Sequence, residues 1–178
     1  MSRIGKKPID LPEEVFINLS PETISVKGKY GLLEQPMVNF LKIEIENKKV
    51  YITRIEDTAK AREFHGLLRA ILQNMILGVT KKFSKILIAE GVGYKFQIEK
   101  NFLVVNVGFT HPVKFEIPSD LEIKLESPIK VSITGINKQK VGFLAARVRD
   151  TKPPEPYKGK GILYEGEIVR RKAGKTGK

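Results

Sequence analysis

Leu41-Lys-Ile-Glu-Ile-Glu46 places an apolar side chain at every second position, and Leu121-Glu-Ile-Lys-Leu-Glu126 does the same 80 residues further on. Strict alternation is the mark of a strand with one face in a core and the other in water. Each stretch is followed by a second short apolar run. Asn47-Lys48-Lys49 turns the chain into Val50-Tyr-Ile-Thr-Arg-Ile55, a hairpin partner for the first, and Val131 and Ile133 follow the second. The period then changes. Phe64, Leu67, Leu68, Ile71, Leu72 and Met75 form one helical stripe, with Asp57 or Thr58 as N-cap and Gly78 placed to end the helix. Val141, Leu144, Ala145 and Val148 form another, with Asn137 as its cap.

The correspondence keeps its order. Val50, Ile52, Thr53 and Ile55 lie near Val131, Ile133, Thr134 and Ile136, and Gly66-Leu-Leu-Arg-Ala70 lies near Gly142-Phe-Leu-Ala-Ala146. An internal duplication accounts for this. Between the halves the alternation continues: Tyr94, Phe96 and Ile98, a turn at Lys100-Asn101, Phe102–Val107, then Val113, Phe115 and Ile117. The expected fold class is α+β, with two tandem similar domains, each of antiparallel strands packed with one main helix. Residues 1–82 form the first domain and 83–151 the second. Residues 152–178 form an extended basic tail. Pro153, Pro154 and Pro156 forbid continuation of the second helix. With little apolar periodicity beyond Lys152, the tail alone in water is expected to be poorly ordered.

Charge separates body from tail. Lys and Arg number 32 against 20 Asp and Glu, a net charge of +12. Residues 147–178 hold 10 basic and 4 acidic side chains, so under a fifth of the chain carries half of that net charge. Such a balance favours a polyanionic partner, nucleic acid or an anionic membrane surface. Leu67–Val79, the most apolar helical stretch, is interrupted by Arg69, Gln73 and Asn74 and is too short to cross a bilayer. Met1-Ser-Arg-Ile-Gly-Lys-Lys-Pro8 has no apolar run after its charges, so no secretory signal is expected.

Catalytic chemistry finds no foothold. The sequence has no cysteine, which removes thiolate catalysis, disulfides and zinc-finger ligation. Its two histidines, His65 and His111, share no metal-ligand spacing. His65 reads as a helix residue with a structural role, and His111, before Pro112, as an extended loop residue. Gly91-Val-Gly93 lacks the third glycine of a dinucleotide fingerprint, and Gly174-Lys175-Thr176 has Val169 where a phosphate loop needs glycine. No catalytic residue, metal or cofactor is expected.

What remains is Pro153-Pro-Glu-Pro-Tyr-Lys-Gly-Lys-Gly-Ile162, followed by Tyr164 and Arg170-Arg171-Lys172. Prolines hold an extended strand that need not be ordered on binding. Gly159 and Gly161 would let backbone N–H groups approach phosphates, while Lys158 and Lys160 supply cations whose binding releases counterions. Tyr157 and Tyr164 could stack on a base, and Arg170 and Arg171 grip phosphates bidentately. The alternative is a solvated tail that aids solubility.

Pro154-Glu-Pro-Tyr-Lys-Gly-Lys-Gly161 resembles the signature of the bacterial-type family of large-subunit ribosomal protein six. The likeness extends to Met1-Ser-Arg-Ile-Gly-Lys-Lys-Pro-Ile9, Gly91-Val-Gly-Tyr94, Gly108-Phe-Thr-His-Pro-Val113, Lys138-Gln139 through Val141-Gly142, and Lys172-Ala-Gly-Lys-Thr-Gly-Lys178. The resemblance implies a structural, non-enzymatic protein that binds large-subunit ribosomal RNA through its C-terminal domain and tail, near the factor-binding region, sarcin–ricin loop and stalk base. It implies neighbouring ribosomal proteins and passing translation factors as partners, and no membrane. The RNA-binding candidates are then Lys138, Lys140, Arg147, Arg149, Lys152, Tyr157, Lys158, Gly159, Lys160, Gly161, Tyr164, Arg170, Arg171, Lys172 and Lys175. Leu163 departs from the family, which commonly has Arg there; Thr110 and Asn137 replace the more usual Ser and Asp. Lys outnumbers Arg 24 to 8, which suggests an A+T-rich genome, in a low-G+C bacterium or an organelle such as a plastid. A nucleic-acid-binding module outside the ribosome is the alternative.

Overall fold

The computed structural model describes residues 4–175. Met1–Arg3 of the opening motif and Thr176–Lys178 of the closing one lie outside the described residues. The chain forms two compact units, one reaching Lys82 and including Ile136–Lys138, the other made of Phe83–Gly135 with Gln139 onward.

In the first unit the order is β1 (Ile9–Asp10), β2 (Phe16–Leu19), β3 (Thr23–Gly28), β4 (Gly31–Pro36), β5 (Leu41–Glu46), β6 (Lys49–Arg54) and α1 (Ala59–Lys81). Strands β2-β3-β4 make one antiparallel sheet and β1-β6-β5 another. The β5–β6 hairpin turns at Asn47 and Lys48, both with left-handed φ of 50° and 59°. Two such residues match the twist of the flanking strands. Ile24 and Val26 from one sheet, and Ile9, Leu41, Ile43, Val50 and Ile52 from the other, share a core with α1.

Helix α1 starts where expected. Thr58 is the N-cap, and its hydroxyl accepts the Ala61 amide at 3.2 Å. Its buried face is rotated from the expected stripe: Ala61, His65, Leu68, Leu72, Met75, Ile76 and Val79 point inward. Leu68 is 2% exposed and Leu67 52%. A polar residue hides the true period, because His65 takes an inward position and donates from Nε2 to the Ile52 carbonyl at 2.9 Å. Nor does Gly78 end the helix. It is buried, its carbonyl accepts the Lys82 amide at 3.0 Å, and α1 runs to Lys81. The next residue, Val79, is fully buried against Gly28, where an added Cβ would come within 2.6 Å of it.

The second unit repeats the plan with β7 (Phe83–Glu90), β8 (Lys95–Glu99), β9 (Phe102–Asn106), β10 (Val113–Glu116), β11 (Leu121–Ser127), β12 (Lys130–Gly135) and α2 (Lys138–Asp150). Strands β10-β9-β8 form one sheet, and β12 pairs with both β11 and β7, as β6 pairs with β5 and β1. Helix α2 buries Val141, Leu144, Ala145 and Val148, the predicted stripe. The fold is α+β with two similar units, as expected.

One addition has no counterpart in the first unit. After α2 the chain loops back as β13 (Gly161–Tyr164) and pairs antiparallel with β7, completing the four-stranded sheet β11-β12-β7-β13. The expectation of a poorly ordered segment beyond Lys152 is therefore corrected. Ile162 is fully buried in the core formed by α2 and both sheets, and that burial with strand pairing offsets the chain entropy that composition alone left unopposed. Leu163 is also buried, opposite Ile88, a place suited to the apolar residue found there.

In urea titrations, Ile162→Ala and Leu68→Ala should each lower stability by about 2–5 kcal/mol. Leu67→Ala should change it by about 0.5 kcal/mol or less. Equal effects at positions 67 and 68 would refute the rotated face of α1.

Candidate nucleic-acid interface

The segment between α2 and β13 is a tied loop. The Ile162 amide donates to the Lys152 carbonyl at 2.8 Å, and the Glu155 amide to the Lys160 carbonyl at 2.9 Å. The Gly159 amide donates to the Glu155 carbonyl at 3.1 Å, and the Lys158 amide to the Glu155 carboxylate at 3.1 Å. Glu155 thus organises the turn that carries Tyr157 and Lys158. Beyond β13 the chain returns, and the Lys172 amide donates to the Pro156 carbonyl at 2.8 Å.

The two glycines have internal reasons to be glycine. At Gly161, with φ of 149°, a Cβ would lie 2.6 Å from the Pro153 carbonyl oxygen and the Pro154 Cα. Gly159 has φ of 75°, and a Cβ there would meet the Arg171 guanidinium at 3.3 Å. Both are buried. They fit the proline run and Arg171 around the loop, and they leave the outward side to other residues. Tyr157 is 57% exposed, and Lys158, Lys160, Arg170, Arg171, Lys172 and Lys175 are exposed.

The remaining candidates divide. Arg149, on α2, forms a two-pronged ion pair with Glu167: Nε donates to Oε2 at 3.0 Å and Nη2 to Oε1. Glu167 Oε2 also accepts the Tyr164 amide at 3.0 Å. The hydrogen bonding from Arg149 holds the Glu167 carboxyl below the usual value, and that from Glu167 raises Arg149. Tyr164 is half-buried on the core, with Arg149 5.6 Å and Lys85 5.5 Å from its ring centre; burial raises its phenol pKa. Arg149 and Tyr164 thus tie the end of α2 to the turn that follows β13. Lys138 and Lys140 are exposed in the first turn of α2, where the helix dipole disfavours cations; Lys140 is paired with Asp120. Arg147 is exposed and Lys152 is half-buried.

Sequence reasoning missed Glu155, Glu167 and Lys85. The only signal for the two glutamates was that Glu155, Glu165 and Glu167 stand inside a mainly basic stretch. Among the described residues no cluster of three or more His, Cys, Asp or Glu could hold a metal, and no helix is long and apolar enough to cross a membrane.

Because the folded-state pKa of Glu167 is depressed, its contribution is present above the unfolded value, about 4.3, and is lost as pH falls through the folded value. Glu167→Gln should therefore cost about 1–3 kcal/mol at pH 7, between exposed and buried pairs. Thermal melts of the variant should lose less than the wild type on acidification below about pH 4.

The family described as Ribosomal protein L6 matches residues 11–82 and 90–165, one segment in each unit. The chain is 49% identical to the large ribosomal subunit protein uL6 of Moorella thermoacetica over 99% of this chain and 97% of that one. It is 47% identical to uL6 of Maridesulfovibrio salexigens over the whole of both chains. It is 46% identical to uL6 of Synechocystis sp. over 100% of this chain and 99% of that one. A duplicated α+β unit with a braced basic loop, matched over its full length at nearly half identity, means that the chain belongs to the ribosomal protein L6 family, whose members are structural proteins and not enzymes.

Proposed function

We propose that the chain is a structural constituent of the large ribosomal subunit that binds ribosomal RNA and stabilises its fold. One observation carries this. Lys158, Lys160, Arg170 and Lys172 are exposed around the tied loop and form no ion pair with another described residue. Cations held in place without protein partners are ready for phosphates, and their fixed backbone reduces the ordering cost of binding. Residues 1–82 and 83–151 serve as a folded frame, and 152–178 supply most of the RNA contact. Lys138, Arg147, Lys152, Tyr157, Arg171 and Lys175 add contacts. Gly159 and Gly161 act by shaping the loop, Arg149 and Tyr164 by tying α2 to the turn after β13, and Lys140 is partly neutralised by Asp120.

Phosphate contact and shape dominate such binding, with little reading of sequence. The site lies near the factor-binding region and stalk base, in keeping with the family resemblance, so neighbouring ribosomal proteins and passing translation factors are its protein partners.

Replacing Lys158, Lys160, Arg170 and Lys172 together by Gln should weaken binding to large-subunit ribosomal RNA. The log–log salt slope should fall by roughly three, at about 0.7–0.9 per phosphate contact. In lysate fractionation the wild-type chain should sediment with the large subunit at moderate salt. A chain running free, with an unchanged slope in the variant, would favour a nucleic-acid-binding module outside the ribosome or a merely solvated segment.

A further inference from the structure

On α2, Arg147 stands between two aromatic rings. Its guanidinium carbon is 5.6 Å from the ring centre of Phe115 and 5.7 Å from that of Phe143. Phe115 is a core residue of β10. Phe143 is 66% exposed and lies off the inward stripe of Val141, Leu144, Ala145 and Val148. Core packing does not require a phenylalanine there. An added Cβ at the preceding residue, Gly142, would meet nothing within 4 Å, so the neighbouring surface is open. The same pairing recurs nearby in the chain, where Lys152 lies 5.1 Å from the ring centre of Phe109, itself exposed in the β9–β10 loop.

The surroundings are basic. Residues 138–152 hold Lys138, Lys140, Arg147, Arg149 and Lys152 against Asp150 alone. An apolar protein surface laid on Phe143 would have to desolvate Arg147, whereas an RNA strand would bring phosphates to the guanidinium. Paired bases hide their faces inside a helix and cannot use an aromatic ring. Unstacked bases of loops and bulges expose theirs and stack on aromatic side chains or guanidinium planes.

We propose that Phe143 and Arg147 form a stacking platform for an unpaired base of the ribosomal RNA. The ring takes the base, and the guanidinium, held by Phe115 from behind, takes the adjoining phosphate. This rests on the RNA-binding role proposed above and adds a second mode of contact, on α2 and independent of the loop cations.

The test uses the full chain and large-subunit ribosomal RNA, with Phe143→Ala and Phe143→Tyr compared by filter binding across a salt series and by ultraviolet crosslinking mapped to peptides. Removing one stacked base contact should weaken binding by about 5- to 100-fold. The salt slope and melting temperature should be unchanged, and Phe143→Tyr should retain affinity. A nucleotide crosslink should map to the α2 peptide and vanish in Phe143→Ala. Affinity of Phe143→Ala within twofold of wild type, with no such crosslink, overturns the platform. If the four-cation variant still shows its reduced slope, the RNA-binding role survives that result. A crosslink from Phe143 to a protein in assembled subunits would equally overturn it, in favour of a protein contact. A wild-type chain with no affinity for the RNA would bring down both.

Discussion

The pairing of β13 with β7 is the constraint on which the candidate interface depends. Without it, residues 151–160 would leave the end of α2 as a basic, proline-rich chain end. With it, the same residues are anchored at α2 on one side and at a buried strand on the other. Ile162 supplies the apolar burial, Gly161 admits the backbone of Pro153 and Pro154, and Glu167 clamps Arg149 while capping the Tyr164 amide. Positions of surface charges are in this way set by core packing, which costs less on binding than ordering a free chain would.

The duplicated frame explains how such a strand could be accommodated. In both units the hairpin strand next to the helix also pairs with the strand that opens the unit, β6 with β1 and β12 with β7. The first unit's sheet is β1-β6-β5. The second begins with an eight-residue strand, long enough to hold β12 along one side and β13 along the other. The extra strand and the loop before it are thus an elaboration of one copy, and with them that copy carries +8 of the net charge of +12.

Much of this was legible in the sequence, for identifiable reasons. Strands β6 and β12 are buried on one face, β5 and β11 over the first part of theirs, and all four alternate accordingly, while α2 has a purely apolar inward stripe. Strand β7 escaped because Ile86, Leu87, Ile88 and Ala89 run without alternation. Strands β2 to β4 were obscured by exposed Phe16, Leu19 and Leu32, which break the expected pattern. The inward His65 displaced the apparent face of α1. Strand β13 is only four residues long and is set among prolines, glycines and lysines, so local composition pointed to a tail. Its strand character comes from β7, which no local window includes. The residues of the candidate interface were nameable from the sequence, but the division between outward cations and internal braces required the fold.

Gly161 pairs with Glu90, 71 residues earlier in the chain. Hairpins such as β5–β6 and β11–β12 close over two residues, and helices form from neighbours, whereas joining distant segments carries a larger loop-closure entropy and is slow. The loop therefore acquires its shape after the local elements, once β7, β12 and α2 are already assembled as a template for β13. On that order of events the exposed cations reach their fixed positions late, and a partly folded chain does not yet hold them there.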